Sequence, residues 1–460
     1  MLFRGKSMVK SKKFSLSTTQ VILLSFLVTI LLGSFVLSLP VSSADGKSVP
    51  YLDALFTATT STCVTGLVTL PVVSTWSTFG QAVILVLIQI GGLGVITVMS
   101  GVMLMINKKM GLGDRLLIQD SFNLNTMAGL IKFVKNVLLG TFIIEGTGAL
   151  LYMLVFVPRF GARGIWISVF TAVSAFCNAG IDIFSQNSLC EYVTNPLING
   201  VTCALIVLGG LGYIVWLDFF RVIMRRNAKN KKVFRHLTLH SKIAITLTLA
   251  LIISGAVLIF VFEYSNPNTI GNMSLFDKIQ ASFFQSVTTR TAGFASIPQE
   301  NLTNASALTS IALMIVGGSP VGTAGGIKTV TVAVLVCSAI ATIRNKNSAT
   351  VFGRRISVKS LKKSIAVVVA FMTICFISTV ALMATDSVEF LDAVYETVSA
   401  AATVGLSRSL TPVLSVAGKI IIIVTMYFGR VGPISLAVAL GSKDESQNVI
   451  TEPVEDISIG

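Results

Sequence analysis

Long apolar segments alternate with short polar ones along most of this 460-residue chain. The first, residues 21–39, runs for 19 residues without a charge, enough for a helix to cross a hydrocarbon core of about 30 Å. It also resembles a signal peptide, but a signal core is usually only about 7–15 residues long, and we interpret it as a retained helix. The pattern predicts eight long apolar helices, at about residues 18–40, 76–106, 131–157, 197–223, 241–263, 305–342, 363–384 and 414–440.

A short segment between the two long helices of each pair occurs four times. In each copy a glycine follows an aromatic residue by ten positions, with small and hydroxylated residues between them; the copies are Phe56–Gly66, Phe170–Gly180, Phe283–Gly293 and Tyr395–Gly405. The glycines recur every 112 to 114 residues. A helix of about ten residues is only about 15 Å long, half a bilayer, so each copy must enter the membrane and turn back.

This regular spacing predicts an all-α polytopic membrane protein of four tandem helix–pore-loop–helix repeats with eight transmembrane helices. The repeats are assigned to residues 17–115, 116–235, 236–345 and 346–441, with terminal segments 1–16 and 442–460. Backbone at membrane depth must be buried in protein or line water. The four turns are therefore expected to meet around a pseudo-four-fold central pore.

Composition and charge agree with a membrane protein. The chain is 53% hydrophobic, only 12% charged, and has a mean hydropathy of +0.83, whereas a soluble chain carries about 25% charged residues. The net charge of +15 could indicate nucleic acid, but the basic residues cluster beside the apolar segments, between repeats. The positive-inside rule explains that distribution better. It predicts that both termini are cytoplasmic, and that the turns open outward into loops rich in carboxylates.

The four turns have the composition of a cation selectivity filter. Glycine accepts positive φ, so a turn can aim successive carbonyls the same way, and four turns would give rings of oxygens that replace the water shell of a monovalent cation. The alternative is that small residues mark close helix packing. The predicted filter residues are Cys63, Val64, Thr65, Gly66, Cys177, Asn178, Ala179, Gly180, Thr291, Ala292, Gly293, Thr403, Val404 and Gly405.

Glycine clusters also recur in the second long helix of each repeat, beginning at Gly91, Gly209, Gly317 and Gly429. In the third repeat the cluster extends over residues 317–326, too rich in glycine to sustain a straight helix. In the fourth, Arg430 replaces a small residue; an arginine at that depth is by default functional, the alternative being an anchor that snorkels or pairs with carbonyls. Arg290, just before the third turn, is interpreted as a pore-helix cap or as the partner of an outer carboxylate such as Asp277.

The motifs CVTGL, CNAGI, TRTAGF and ATVGL together resemble the Trk/Ktr/HKT superfamily of potassium transporters, most nearly the membrane subunits of bacterial Ktr systems, over about residues 18–441. The resemblance implies potassium uptake across the bacterial plasma membrane, stimulated by sodium, through a homodimer with one pore per subunit. It also implies a cytosolic KtrA-like regulatory ring that binds ATP, ADP or NAD(H). Sodium-preferring plant relatives carry serine at the position of Gly66, so potassium is expected here.

The resemblance further implies an intramembrane gate below the filter. Its loop would comprise Gly317, Gly318, Ser319, Pro320, Gly322, Thr323, Gly325 and Gly326, with Lys328 at the cytoplasmic side. Arg430 would raise a barrier to cations and bond the loop carbonyls. The chain itself shows no nucleotide motif in a strand–glycine–helix setting and no covalently bound cofactor is expected, so nucleotides would act through the partner.

Three other functions were weighed. A sodium-selective or Trk-type member of the same superfamily is the main alternative. A secondary transporter of an organic solute typically has inverted repeats, whereas these repeats all run the same way. A membrane enzyme would need clustered His, Cys or paired carboxylates at depth; Glu145 is the only acid well inside a predicted span, and the chain is predicted not to be an enzyme.

Overall fold

The computed structural model describes residues 17–106, 111–121, 129–224, 233–346 and 348–432. Within this part loops connect helices, and the one sheet is an antiparallel hairpin, β1 (Thr350–Val351) and β2 (Arg354–Arg355). The predicted terminal segments 1–16 and 442–460 lie outside the described residues, as do residues 433–441 of the fourth predicted repeat. In chain order the α-helices are α1 (Thr18–Ser38), α2 (Tyr51–Cys63), α3 (Val72–Thr75), α4 (Thr78–Leu93), α5 (Val95–Met105), α6 (Leu112–Ser121), α7 (Leu130–Phe160), α8 (Arg163–Cys177), α9 (Pro196–Gly210), α10 (Tyr213–Met224), α11 (Val233–His236), α12 (Leu239–Glu263), α13 (Leu275–Thr288), α14 (Asn304–Ile315), α15 (Thr329–Ile343), α16 (Val358–Thr385), α17 (Phe390–Ala401) and α18 (Val416–Val431).

Among the described residues, four helices are long and apolar enough to cross a membrane: α1, α7, α12 and α16. Two further pairs would raise the number to six if each counts as one bent span, α4 with α5 and α9 with α10. The exposed side chains of the long helices include Leu32, Phe142 and Phe376, each more than 60% exposed. Such surfaces suit lipid tails, which are as apolar as these side chains.

The predicted continuous helices at 76–106 and 197–223 are wrong. The first bends by 97° where α4 meets α5, and the second by 94° where α9 meets α10. Gly94 and Gly212, at the two breaks, both have φ of +85°, which is outside the helical region and ends the hydrogen-bonded ladder there. The predicted helix at 305–342 is likewise divided into α14 and α15 by residues 316–328.

The four short helices α2, α8, α13 and α17 each pack against the long helix that precedes them. The helix that follows each turn then packs on the short helix of the next set: α4 on α8, α9 on α13, α14 on α17, and α18 back on α2. The contacts therefore close a circle. This arrangement brings the four glycine turns at the ends of the short helices to the middle of the molecule.

The aromatic residues of the sequence frame anchor three of the short helices. Phe56, Phe170 and Tyr395 are fully buried. Phe283 is 43% exposed, and its neighbour Phe284 is fully buried instead. The prediction that Phe283 is the equivalent aromatic is therefore wrong by one position. Counted from its buried aromatic, Phe284, to Gly293, the third copy is one residue shorter than the others.

Candidate functional site

All four glycine turns share one backbone conformation. The residue two positions before each glycine is left-handed: Val64 with φ of 55°, Asn178 with 61°, Thr291 with 66° and Thr403 with 52°. The glycines that follow also have positive φ, between 64° and 101°. Branched side chains rarely adopt the left-handed region, so three of the four turns store strain at equivalent positions. Strain repeated in this way indicates a functional backbone.

A hydroxyl group near the end of each short helix holds the turn. Thr60 Oγ1 accepts from the amide of Gly66 at 2.9 Å, and Ser399 Oγ accepts from the amide of Gly405 at 3.0 Å. In the second turn Ser174 Oγ accepts from Ile181 at 3.0 Å. In the shorter third turn Thr288 Oγ1 instead donates to the carbonyl of Phe294 at 2.6 Å. Sequence reasoning missed these four residues, although a hydroxyl five or six positions before each glycine was a visible signal.

The four turns contact each other in a closed ring. Each glycine lies so close to the next turn that a Cβ atom would collide with the carbonyl oxygen of the residue before the next glycine. A Cβ on Gly66 would lie 2.5 Å from the oxygen of Ala179, one on Gly180 2.5 Å from that of Ala292, one on Gly293 2.5 Å from that of Val404, and one on Gly405 would overlap the oxygen of Thr65. The carbonyls of the four residues that precede the glycines therefore form a closed ring of contacts with them.

A cavity of about 280 Å³ lies directly against this ring, and all four glycines line it. Its charged lining residues are Asp182 and Glu300, and no described lysine or arginine lines it. Burial raises the pKa of Asp182 to about 7, against the hydrogen bonds from the Ser185 and Phe184 amides that lower it. Cavities lined by one sign of charge concentrate counter-ions, here cations.

On the opposite side of the ring, residues 316–328 form a segment pressed against the turns. Thr323 Oγ1 donates to the carbonyl of Phe176 at 3.2 Å, beside the second turn. A Cβ on Gly325 would lie 2.6 Å from the oxygen of Ala402, beside the fourth turn. We name residues 316–328 the central segment. It contains every predicted gate residue except Arg430.

The central segment is hydrogen-bonded to the backbone around the break between α9 and α10. The amide of Ser319 donates to Gly210 at 2.8 Å, that of Thr323 to Gly209 at 3.2 Å, and that of Tyr213 to Val321 at 3.0 Å. A Cβ on Gly322 would lie 2.9 Å from the Gly209 oxygen, and one on Gly212 would collide with the oxygen of Pro320. The segment therefore satisfies backbone groups that the broken helix leaves free.

The two ends of the central segment are joined at its base. The amide of Gly317 donates to Ile327 at 3.0 Å, and the amide of Thr329 donates to Gly318 at 3.0 Å. The Lys328 ammonium donates to the carbonyl of Ala324, and Gly326 adopts φ of +65° to close the base. The segment is thus a loop whose two ends are hydrogen-bonded to each other. We name these paired ends, Gly317 with Ile327 and Gly318 with Thr329, the neck.

Arg430, near the end of α18, bridges the central segment to the break after α4. Its Nη1 donates to the carbonyl of Thr323 and its Nη2 to that of Gly91, both at 2.5 Å. The guanidinium therefore lies beneath the ring and connects parts of the first, third and fourth predicted repeats. Charged donors make the stronger class of hydrogen bond.

Arg290 does not pair with Asp277, and that expectation is wrong. Asp277 lies in the first turn of α13, where it bonds Ser274, whereas Arg290 follows the other end of this 14-residue helix, about 20 Å away. Arg290 is 5% exposed, and its Nη2 donates to the carbonyl of Gly317 at 2.8 Å. It links the third turn to the neck of the central segment.

The fold and the site define a multi-pass helical membrane protein with a ring of backbone carbonyls between an acidic cavity and a loop. The chain belongs to the TrkH family, described as cation transport protein, whose model matches residues 7–451. The predicted superfamily is thereby confirmed. A family of cation transporters is consistent with the prediction that the chain is not an enzyme.

Several relatives span nearly the whole chain. The Ktr system potassium uptake protein B of Bacillus subtilis is 39% identical, covering 93% of this chain and 94% of the relative. The potassium/sodium uptake protein NtpJ of Enterococcus hirae is 36% identical, covering 98% and 99%. The crystal structure of the potassium transporter TrkH from Vibrio parahaemolyticus matches with a TM-score of 0.73 at 16% identity, covering 95% of this chain and 86% of that one, which supports the fold.

Proposed function

We propose that this protein takes up potassium through the ring of four turns. The observation that carries the proposal is the closed contact of the four glycines, each against a carbonyl of the next turn. Carbonyl oxygens of this kind replace the hydration shell of a monovalent cation. The acidic cavity supplies cations to one side of the ring, and relatives at 39% and 36% identity are named for potassium uptake.

The proposed architecture is four repeats, 17–115, 116–235, 236–345 and 346–441, around a pseudo-four-fold axis with eight spans. Equivalent positive φ angles two residues before each glycine, and at the glycine itself, support this division. So do the helix contacts that close a circle. Both termini are assigned to the cytoplasm by the basic loops between repeats.

The central segment is the proposed gate. It lies on the ring side opposite the acidic cavity and contacts the second and fourth turns. Arg430 and Arg290 fix it from two directions, at Thr323 and at Gly317. A guanidinium beneath the ring also repels cations while the segment is in place. Opening requires the segment to leave the ring, and Lys328 to release its carbonyl at the neck.

Sodium enters this function in two ways. The Enterococcus hirae relative is named as a potassium/sodium uptake protein, so passage of sodium through the same ring is the second candidate. Stimulation of potassium uptake by sodium is the other. Glycine at position 66, rather than a residue with a side chain, favours potassium as the main ion because it leaves the Ala179 carbonyl free to line the ring.

The proposed assembly is a homodimer in the bacterial plasma membrane, with one pore per subunit. Relatives named as Ktr system components suggest a cytosolic regulatory ring as partner. In this proposal ATP, ADP or NAD(H) binds the cytosolic regulatory ring, not the membrane chain. The resulting conformational change of the regulatory ring acts on the central segment through the cytoplasmic loops.

The function is tested by growth, at low external potassium, of a bacterium that lacks potassium uptake. This chain is expressed alone and together with a candidate cytosolic regulatory partner. We expect the native chain to rescue growth and Gly66→Ser to weaken the rescue, because a side chain at Gly66 collides with the Ala179 oxygen. Gly200→Ser is the matched control, since no atom lies within 4 Å of a Cβ there. Rescue that Gly66→Ser leaves unaltered contradicts the proposed filter, and no rescue by protein shown to be in the membrane favours sodium.

Thr60→Val is expected to lower discrimination between potassium and sodium about tenfold. The buried amide of Gly66 loses its acceptor, and an unpaired buried donor costs about 1–3 kcal/mol, which lets the first turn relax. Thr60→Ser keeps the acceptor and is expected to behave like the native chain. Competition of potassium uptake by sodium in membrane vesicles measures the effect; native selectivity in Thr60→Val would show that the hydroxyl does not hold the filter.

A further inference from the structure

A second cavity, of about 380 Å³, lies among α4, α7 and α8, away from the ring axis. Its walls are apolar except for Gln89 and Glu145. Val86 and Phe142 belong to its lining and are 55% and 61% exposed, so the cavity opens on the apolar outer surface of the helices. A molecule dissolved in the lipid can therefore reach it.

The polar end of this cavity is a buried acid. Glu145 is 4% exposed, and its carboxyl group accepts hydrogen bonds from Gln89 Nε2 at 3.3 Å and from the Cys177 thiol at 3.8 Å. None of the ion pairs formed by the described residues includes Glu145. Acids at membrane depth are costly and normally pair with a cation or line a functional path. The carboxyl group of Glu145 has no cationic partner within the described chain.

The chemistry of the cavity selects its occupant. Apolar walls favour a hydrocarbon chain, and the carboxyl group favours a compact positive head that can donate hydrogen bonds. A fatty acid would bring no positive group to Glu145, and an uncharged chain would leave its carboxyl group with the Gln89 and Cys177 donors alone. We propose that this cavity binds hydrophobic primary ammonium compounds, which enter from the lipid and place the ammonium group on Glu145.

Such a ligand would affect the second turn of the carbonyl ring, because its site adjoins Cys177. Cys177 ends α8 three residues before Gly180, and its thiol also contacts Gln89 Oε1 at 3.8 Å. An ammonium group on Glu145 competes with the thiol for the same oxygen and alters the support of the second turn. This last step rests on the proposed function; binding to the cavity does not.

Photolabelling of the purified full chain in lipid nanodiscs tests the binding. The probe is a dodecylamine that carries a diazirine, competed with n-decylammonium, n-decanol or decanoate. Glu145→Gln keeps the size of the side chain and removes the acidic group that an ammonium ion would pair with. Gly146→Phe fills the cavity, because Gly146 lines it and no atom lies within 4 Å of a Cβ there.

A matched control exists on the neighbouring helix. Gly200 lines another apolar cavity of about 380 Å³ that contains no charged residue, and its Cβ position is equally open. Gly200→Phe therefore changes a lipid-facing cavity of the same size without touching Glu145.

We expect labelling of peptides from α7 or α8 that n-decylammonium displaces and that n-decanol and decanoate do not. The displacing concentration should rise roughly tenfold or more in Glu145→Gln and Gly146→Phe, since hydrogen bonds to charged groups are the stronger ones, and stay native in Gly200→Phe. Equal labelling of all variants, equal competition by n-decanol, or an unlabelled native cavity, as when a second copy of the chain covers it, each overturns the proposal. Potassium flux is measured beside binding: binding without any flux refutes the proposed transport function and leaves the site standing.

Discussion

Gly405→Ala is expected to abolish potassium uptake while the protein remains in the membrane. A Cβ on Gly405 would overlap the carbonyl oxygen of Thr65, and the φ of +93° there is one that alanine rarely adopts. The contact closes the ring between the last turn and the first, so it cannot be relieved without displacing the Thr65 carbonyl oxygen, which belongs to the proposed filter. A displacement of about 1 Å costs preorganised sites about a hundredfold in rate, and we expect a loss of at least that size.

Uptake of potassium by the purified chain in proteoliposomes measures this loss. Gly200→Ala is the control, because its Cβ meets no neighbour within 4 Å and alanine suits a helix. The two variants carry the same chemical change at different depths in the structure. Native flux through Gly405→Ala would show that the fourth turn does not contact the path of the ion.

Arg430→Ala is expected to raise potassium flux and to weaken control by the proposed cytosolic regulatory partner. The substitution removes the hydrogen bonds of a charged donor to Thr323 and to Gly91, each of a kind that contributes about 1.5–3 kcal/mol, and a longer one of 3.5 Å to Gly92. Loss of about 3 kcal/mol from the closed arrangement shifts its equilibrium roughly a hundredfold towards the open one. It also removes the positive charge beneath the ring.

Single-channel or flux recordings, with and without the partner, measure the change. Arg430→Lys keeps the charge but offers a single point of contact, and it separates the two effects. We expect intermediate flux from it. Shortening the central segment should raise flux in the same direction as Arg430→Ala. Unchanged flux in both Arg430→Ala and the shortened chain would exclude a gate at this position.

Sequence periodicity located the turns well because the glycines are required for a local reason. Each lies where a Cβ would meet a neighbouring turn, so the spacing in sequence reflects a contact in space. The glycine clusters also lie where helices break, but only the third was predicted to interrupt its helix. They did not give the bend of 97° after α4, because glycine frees a backbone without fixing its direction.

The partners of the two buried arginines show where sequence reasoning ends. The sequence suggests a pore-helix cap or an outer carboxylate as the partner of Arg290, yet Arg290 donates to the backbone oxygen of Gly317, 27 residues later. A carbonyl has no sequence signature, so only the fold could place it. The hydroxyls that hold the turns were visible as composition, but small polar residues in membrane helices usually indicate packing.

The third turn differs from the other three in sequence, which is possible because one polypeptide contains all four turns. Arg290 stands three residues before the glycine, where the other turns carry cysteine or alanine, and it points away to the central segment. In a pore made of four identical chains, one such arginine would mean four guanidinium groups around the ion. Because the four units are joined in one polypeptide, a mutation changes one quadrant alone. Because the four units are covalently linked, one unit can differ in sequence and hold the central segment. The other three units need not carry the same arginine.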